Sequence, residues 1–271
     1  MNNQYLEIAI LASLNAGKAI DKVYNDSKHI EVITKADNSP LTIADKLAHN
    51  IIIEHLEELD LPVLSEEGDE IDWEIRKQWS LFWLIDPLDG TKEFINRNGE
   101  FTVNIALIKD GAPILGVVYL PVTKELYYGG ITMGAFKKIV SKEDDVLSII
   151  EKSTKLLPGK QESNVFRIIV SKSHMTKETE SIIEECKQVY KNVELVSCGS
   201  SKKLCLLAED KVNLYPRIAP TMEWDTAAAH AIVIASGKRV VDFNSNSELI
   251  YNKENLLNPS FIAYDSKYHF E

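Results

Sequence analysis

The chain has 271 residues, 45% of them hydrophobic and 26% charged, and a formal net charge of -11. That length and mix describe an ordinary globular protein with ample core, in one large domain or two smaller ones. The acidic balance excludes a general nucleic-acid binder, which needs basic surface, but not a phosphorylated small-molecule ligand, because a bound cation reverses the sign of a local site. The cysteines, Cys186, Cys198 and Cys205, form no CxxC pair. A disulfide framework or structural zinc site is therefore not expected, and a reduced, cytoplasmic setting fits.

Residues 4–24 are expected to form an amphipathic helix with Leu6, Ile10, Leu14 and Ile20 near one face. Glu7 interrupts its apolar character and no basic segment precedes it, which argues against a signal peptide. No apolar run approaches the ~20 residues that span a bilayer. A short strand over 31–34 leads into the polar loop Lys35-Ala36-Asp37-Asn38-Ser39-Pro40. Thr42 then caps a helix reaching residue 59, with Ile43, Leu47, Ile51, Leu56 and Leu59 expected on its core face. Asp45, taken alone, is a favourable charge near that helix's dipole. Leu61-Pro62-Val63-Leu64 is extended and stops at Ser65-Glu66-Glu67-Gly68, which alone would be an acidic surface loop.

The pattern of an apolar strand halting at acids and a glycine recurs more strongly at 81–91. Leu81, Phe82, Trp83, Leu84 and Ile85 suit a strand buried on both faces, and Asp86-Pro87-Leu88-Asp89-Gly90-Thr91 follows at once. Pro87 biases Asp86 towards an extended conformation, Gly90 tolerates unusual dihedrals, and Thr91 is a fair helix cap. Two carboxylates and a hydroxyl are thus delivered to a turn at a strand's carboxyl end, where ligands tend to sit in open α/β sheets. A plain turn is the alternative at this point, since Asp, Pro and Gly are all turn formers.

One helical turn over 92–96, strands over 101–107 and 114–120, and the Asp110-Gly111 hairpin signal suggest an antiparallel meander with helices on one side. The charged segment 142–164, with Pro158-Gly159 inside it, marks the expected boundary between units 1–155 and 156–271. Strands at 168–170, 193–196 and 212–215 then alternate with helices at 177–189 and 201–208, a smaller α/β unit. The last long helix, 223–236, is apolar nearly all round and carries Asp225 in its first turn, where an N-cap is the ordinary role.

Glu66, Asp86, Asp89 and Asp225 thus each sit at an element end beside apolar sequence. Brought together they would repel and lose hydration, so they would need cations between them. Oxygen donors without clustered His or Cys select Mg²⁺, Mn²⁺ or Ca²⁺ over zinc, and two such ions about 4 Å apart clamp an in-line displacement at phosphorus.

The same residues carry a resemblance. Asp86-Pro87-Leu88-Asp89-Gly90-Thr91 and Trp224-Asp225-Thr226-Ala227-Ala228 are similar to the two signatures of the magnesium-dependent, lithium-sensitive phosphatases of the inositol monophosphatase family. The stretches Lys35–Asp45 and Ser65–Gly68 match two further blocks in the same order and spacing. The run from Asp86 to Val103, with Gly199-Ser200-Ser201-Lys202-Lys203-Leu204-Cys205 and Leu214-Tyr215-Pro216-Arg217, resembles the family's 3'(2'),5'-bisphosphate nucleotidase branch; Leu204 stands where an aromatic residue is expected.

The resemblance implies a layered α/β/α/β/α sandwich of the sugar-phosphatase type, with an antiparallel-sheet first unit and a smaller α/β second one. It implies that Glu66, Asp86, Asp89, Asp225 and the Leu88 carbonyl bind two Mg²⁺, that Asp37 helps with a third, that Mn²⁺ substitutes, and that Li⁺ and Ca²⁺ inhibit. Thr91 and Asp45 would orient and deprotonate the attacking water, with Glu66 sharing in catalysis through the cation. Gly90 and Thr91 would present N–H groups to the phosphate, and Gly199, Ser200, Lys203, Arg217, His174 and Asp225 would meet the nucleotide. The implied substrate is adenosine 3',5'-bisphosphate or its 5'-phosphosulfate counterpart, in sulfur assimilation. Inositol monophosphatase or fructose 1,6-bisphosphatase activity, or a non-catalytic sensor of nucleotide or metal, are the alternatives. The expected state is a monomer or homodimer in the cytoplasm, without nucleic-acid polymer, with peripheral attachment to the inner membrane as a variant.

Overall fold

Two sheets, with helices between and around them, make up the fold. The structure, a computed structural model, describes residues 3–26, 32–34, 40–156, 164–171 and 175–265. Helices α1 (Asn3–Asp26) and α2 (Ile43–Leu56) flank a small hairpin of β1 (Val32–Thr34) and β2 (Pro40–Thr42).

The first sheet runs β3 (Val63–Ser65), β4 (Leu81–Asp89), β5 (Thr102–Lys109), β6 (Ala112–Leu120), β7 (Glu125–Gly130), β8 (Gly134–Ile139) and β9 (Thr154–Leu156) in spatial as in chain order. Only the β3–β4 pair within it is parallel. The second sheet takes the order β11 (Val193–Ser197), β10 (Phe166–Val170), β12 (Leu214–Arg217), β14 (Phe261–Asp265), β13 (Lys238–Asp242). Its β10, β11 and β12 are parallel, and β14 runs antiparallel to both of its neighbours.

Alternation along each strand sorts the core into layers. On β4, Trp83 and Ile85 pack with Leu6, Ile10 and Ile20 of α1 and with Ile52 and Leu56 of α2. Phe82 and Leu84 point the other way, onto α7 (Lys202–Ala208) and α8 (Glu223–Ala235), through Leu204, Ala228 and Ile232. The second sheet closes over the same two helices with Ile169, Tyr215, Val240 and Ala263. Ile168, Leu214, Val241 and Ile262 face outward onto Ile182, Ile183 and Cys186 of α6 (Lys177–Val189). The result is the five-layer α/β/α/β/α sandwich. Gly116 of β6 lets α8 lie flat on the first sheet: a Cβ there would stand 1.9 Å from the Ala228 carbonyl oxygen.

The expected face of α2 holds in its second half and not in its first: Leu56 is buried and Ile51 and Leu59 pack against the core, but Ile43 and Leu47 are exposed, and Ala44, Ala48 and Ile52 are buried instead. The reason is close approach: α2 lies against α1, whose buried stripe is rich in Ala9, Ala12, Ala16 and Gly17, and small residues fit such a contact better than branched ones. Leu6, Ile10, Leu14 and Ile20 are buried as expected. β12 lies two residues later than expected, and β13 and β14 have no counterpart in the expectations. Among the described residues no helix is long and apolar enough to cross a membrane.

Candidate active site

β4 carries Asp86 on its α8-facing side by simple alternation from Phe82 and Leu84. In a regular strand Asp89 would then face away. The ladder with β5 pairs Asp86 with Asn104 and Asp89 with Thr102, so three steps on β4 match two on β5. That extra residue is a bulge, and it returns Asp89 to the side Asp86 occupies. Pro87, which has no N–H for a ladder, sits inside the bulge, and the Leu88 N–H turns back to donate to Asp86 Oδ1 at 3.0 Å.

β3 ends one strand away, where the Glu66 N–H donates to the Ile85 carbonyl at 3.1 Å. Glu66 is thereby set beside Asp86, and the two carboxyls interact. Burial first, then the charges of Glu66, Asp89 and Asp225, pushes the Asp86 carboxyl well above its usual range. Asp225, third residue of α8, accepts the Met222 N–H at 2.8 Å and is pushed up by burial and by Asp89 and Glu66. It opens partly to the cleft, yet protein surrounds it, so burial still dominates its titration.

The acids are near enough to raise one another, but among the described residues no three His, Cys, Asp or Glu side chains close into a cage. Part of the reason is Asp89 Oδ2, which faces α7: the Ser201 N–H donates to it at 2.5 Å, Ser201 Oγ lies 2.8 Å away, and Asn104 Nδ2 and Thr102 Oγ1 each lie at 3.5 Å. The donor set is oxygen only and is strained by like charge. It fits a hard divalent cation better than zinc or iron.

A second carboxylate arrangement is tied to Thr91, two residues after Asp89. Thr42 caps α2 and donates both its N–H (2.8 Å) and its hydroxyl (2.6 Å) to Asp45 Oδ2. The remaining oxygen, Asp45 Oδ1, accepts from Thr91 Oγ1 at 3.1 Å. Burial raises the Asp45 carboxyl, only partly countered by the Thr42 and Thr91 hydrogen bonds. Gly90, at φ 97°, is the N-cap of the short helix α4 (Thr91–Ile95), with Thr91 as its first residue rather than its cap.

The cleft in front of Asp89 has two walls. Gly90, Lys92 and Glu93, which follow β4, line one together with Asp225 from the start of α8; Ser171, Gly199, Ser200 and Lys203, with Tyr215 and Arg217 of β12, line the other. Lys203 is buried, its ammonium on the Ser200 carbonyl at 2.7 Å and over the Tyr215 ring at 5.8 Å. Arg217 gives one N–H to the Pro220 carbonyl at 3.2 Å, while its Nε is buried and finds no hydrogen-bond partner among the described residues. A buried donor without an acceptor costs free energy until an anion arrives.

Gly90, Gly199, Ser200, Lys203, Arg217 and Asp225 therefore meet in one cleft with Asp89, and Glu66, Asp86, Thr91 and Asp45 adjoin it. Asp37 and His174 lie outside the described residues. Ser201 and Glu100 lie inside the family-like stretches without a role assigned to them, and Asn104 lies just outside; the Glu100 carboxylate accepts the Gly199 N–H at 2.9 Å. The only local hint is Asn104, a polar residue in the middle of an apolar strand.

The chain is matched over residues 1–269 by the model of the inositol monophosphatase family. The 3'(2'),5'-bisphosphate nucleotidase CysQ of Salmonella typhimurium is 45% identical over 258 residues, 94% of this chain and 98% of that protein. The protein of the same description from Escherichia coli K12 is 45% identical over 249 residues, covering 91% and 94%. A crystal structure of CysQ from Bacteroides thetaiotaomicron, a bacterial member of the same family, superposes with a TM-score of 0.86 at 48% identity over 97% of each chain. The SuhB structure from Bartonella henselae, at 23% identity and a TM-score of 0.75, shares the fold.

Proposed function

Because the chain belongs to the inositol monophosphatase family, we propose that it hydrolyses adenosine 3',5'-bisphosphate to AMP and phosphate, and the related 5'-phosphosulfate in the same way. The observation that carries the substrate class is Arg217, whose buried Nε finds no acceptor among the described residues, at a cleft that Asp89 and Asp225 also line. Lys203 and Arg217 offer fixed positive charge to a second phosphate, and Arg does so in forked geometry.

In this reading Glu66, Asp86, Asp89, Asp225 and the Leu88 carbonyl hold Mg²⁺, with Mn²⁺ as substitute and Asp37 as helper at a third ion. Bound there, the cations supply a water of lowered pKa and neutralise charge on the transferring phosphoryl group. Thr91 Oγ1 has one hydrogen and two acceptors in reach, Asp45 Oδ1 at 3.1 Å and the Leu88 carbonyl at 3.4 Å; given to the nearer Asp45, it leaves a lone pair to accept a proton from water. Asp45, raised by burial, is a stronger proton acceptor than an exposed carboxylate. The Gly90–Thr91 backbone orients the phosphate. Positioning and electrostatics suffice, and no side chain need form a covalent intermediate.

We read 1–155 as the unit that bears most of the acids and 156–271 as the unit that meets the nucleotide, in a cytoplasmic enzyme of sulfur assimilation. Phosphate release from adenosine 3',5'-bisphosphate, inositol 1-phosphate and fructose 1,6-bisphosphate, with Mg²⁺, EDTA or Li⁺, tests the proposal. The expected result is Mg²⁺-dependent, Li⁺-sensitive release with the nucleotide preferred. Faster turnover of inositol 1-phosphate would replace the substrate assignment. No release from any of the three would favour a sensor.

A further inference from the structure

Ser201 sits where three elements meet. Its N–H donates to Asp89 Oδ2 at the end of β4, and its Oγ lies 2.5 Å from the Asp225 carbonyl oxygen of α8 and 2.8 Å from Asp89 Oδ2. A serine hydroxyl has one hydrogen, so it serves one of these two oxygens at a time. Asn104 Nδ2 occupies the hydroxyl's lone pair at 2.9 Å and so restricts how it turns. Both side chains are buried, and they come from different sheets' territory: Asn104 from β5 of the first, Ser201 from the loop that follows β11 of the second.

We infer that Ser201, braced by Asn104, is a positioning residue that aims Asp89 and ties it to Asp225, so that the nucleotide-facing loop sets the geometry of the cation ligands. The inference rests on the reading of Asp89 as a cation ligand. With Oδ2 committed to Ser201, Asp89 has Oδ1 left to offer a cation as a single-oxygen donor. The loop itself is anchored: the Glu100 carboxylate holds the Gly199 N–H, and Ser200 takes a left-handed φ of 51°. Lys203 Nζ hangs from the Ser200 carbonyl, one residue before Ser201, so a ligand that pulls on Lys203 pulls on the residue next to the brace.

Partners that orient a metal ligand are worth about 10–100-fold in metal affinity. The test is Mn²⁺ binding to the full chain without substrate, followed by the loss of the free-ion electron paramagnetic resonance signal. Ser201→Ala and Asn104→Ser are each expected to weaken Mn²⁺ by about 10–100-fold, with Ser201→Thr, which keeps the hydroxyl, close to wild type. In turnover the same variants should lower kcat and raise the Mg²⁺ requirement while leaving KM for the nucleotide within about threefold, a pattern that general loosening of the fold would not give. Should Ser201→Ala fail to fold, Asn104→Ser withdraws only the brace and is read alone. Wild-type Mn²⁺ affinity in the folded variants overturns the inference. A wild type that binds Mn²⁺ but ignores the nucleotide would sink the proposed substrate and leave this inference standing; a wild type that binds no Mn²⁺ would sink both.

Discussion

The two walls of the cleft are unsatisfied in opposite senses. On the β4 side, burial and mutual repulsion raise Asp86 and Asp225, so that wall lacks positive charge. On the β12 side, among the described residues, Lys203 is buried on carbonyls and the Tyr215 ring and Arg217 Nε finds no acceptor, so that wall is short of negative charge. Arg217 offsets the rise at Asp225 only in part. In the proposed reading a divalent cation carrying a phosphate satisfies both at once.

Attacking the acid wall should have the largest effect. Asp89→Asn or Asp86→Asn is expected to lower kcat/KM by roughly 10³-fold or more, as removal of the metal by EDTA should. Near-normal turnover in Asp89→Asn would dissolve the comparison altogether. Next comes the proton path: Thr91→Ala or Asp45→Asn should cost about 10²–10⁴-fold in kcat. Because burial raises Asp45, activity that needs its ionised form should fall as pH drops through a value above the ordinary carboxylate pKa of ~3.9. A pH–rate profile whose acid limb stays at the ordinary value would remove Asp45 from the relay.

The basic wall should answer differently. Lys203→Ala and Arg217→Ala should raise KM for the bisphosphate by about 10–100-fold with kcat little changed, since a charge-assisted hydrogen bond is worth roughly 1.5–3 kcal/mol. Inositol 1-phosphate turnover in both variants is the control, and an equal rise there would strip these residues of substrate choice. A smaller effect is purely structural. Gly116→Ala drives a Cβ into the Ala228 carbonyl and should cost about 1–3 kcal/mol, read as a lower melting temperature.

The smallest and subtlest effect concerns stability against pH. A carboxyl raised in the folded state binds more protons folded than unfolded, so stability at that site falls as pH rises. In EDTA, Asp86→Asn should therefore melt above wild type at neutral pH, with the gap closing on acidification towards the ordinary carboxylate range. With Mg²⁺ present the order should reverse. A variant less stable than wild type in EDTA at neutral pH would show that Asp86 is not strained by its neighbours.

The strands that end in acids were legible because a buried strand is a continuous apolar run, and the acids stand out against it. So was Asp225, on a helix apolar all round. The first turn of α2 is not legible in the sequence, because bulky Ile43 and Leu47 outweigh Ala44 and Ala48 in any apolar pattern, although close helix packing selects the small residues. The bulge at Pro87 was invisible, since it depends on which residue of β5 pairs with which of β4. Ser201 and Asn104 escaped notice for the same reason: their contacts span 112 and 97 positions of chain. β13 and β14 are short, and β14 enters a sheet whose earlier strands are parallel, a placement that no local pattern announces.

That placement bears on how the molecule is made. β14 is the last described strand to be synthesised, yet it lies in the interior of its sheet and pairs Phe261 with Arg217. During translation the carboxylate half can be complete while the strand that seats Arg217 still has an open flank. The strand that supports Arg217 from this side is therefore made well after the strands whose ends carry Glu66, Asp86 and Asp89, and the basic side of the cleft depends on the later one.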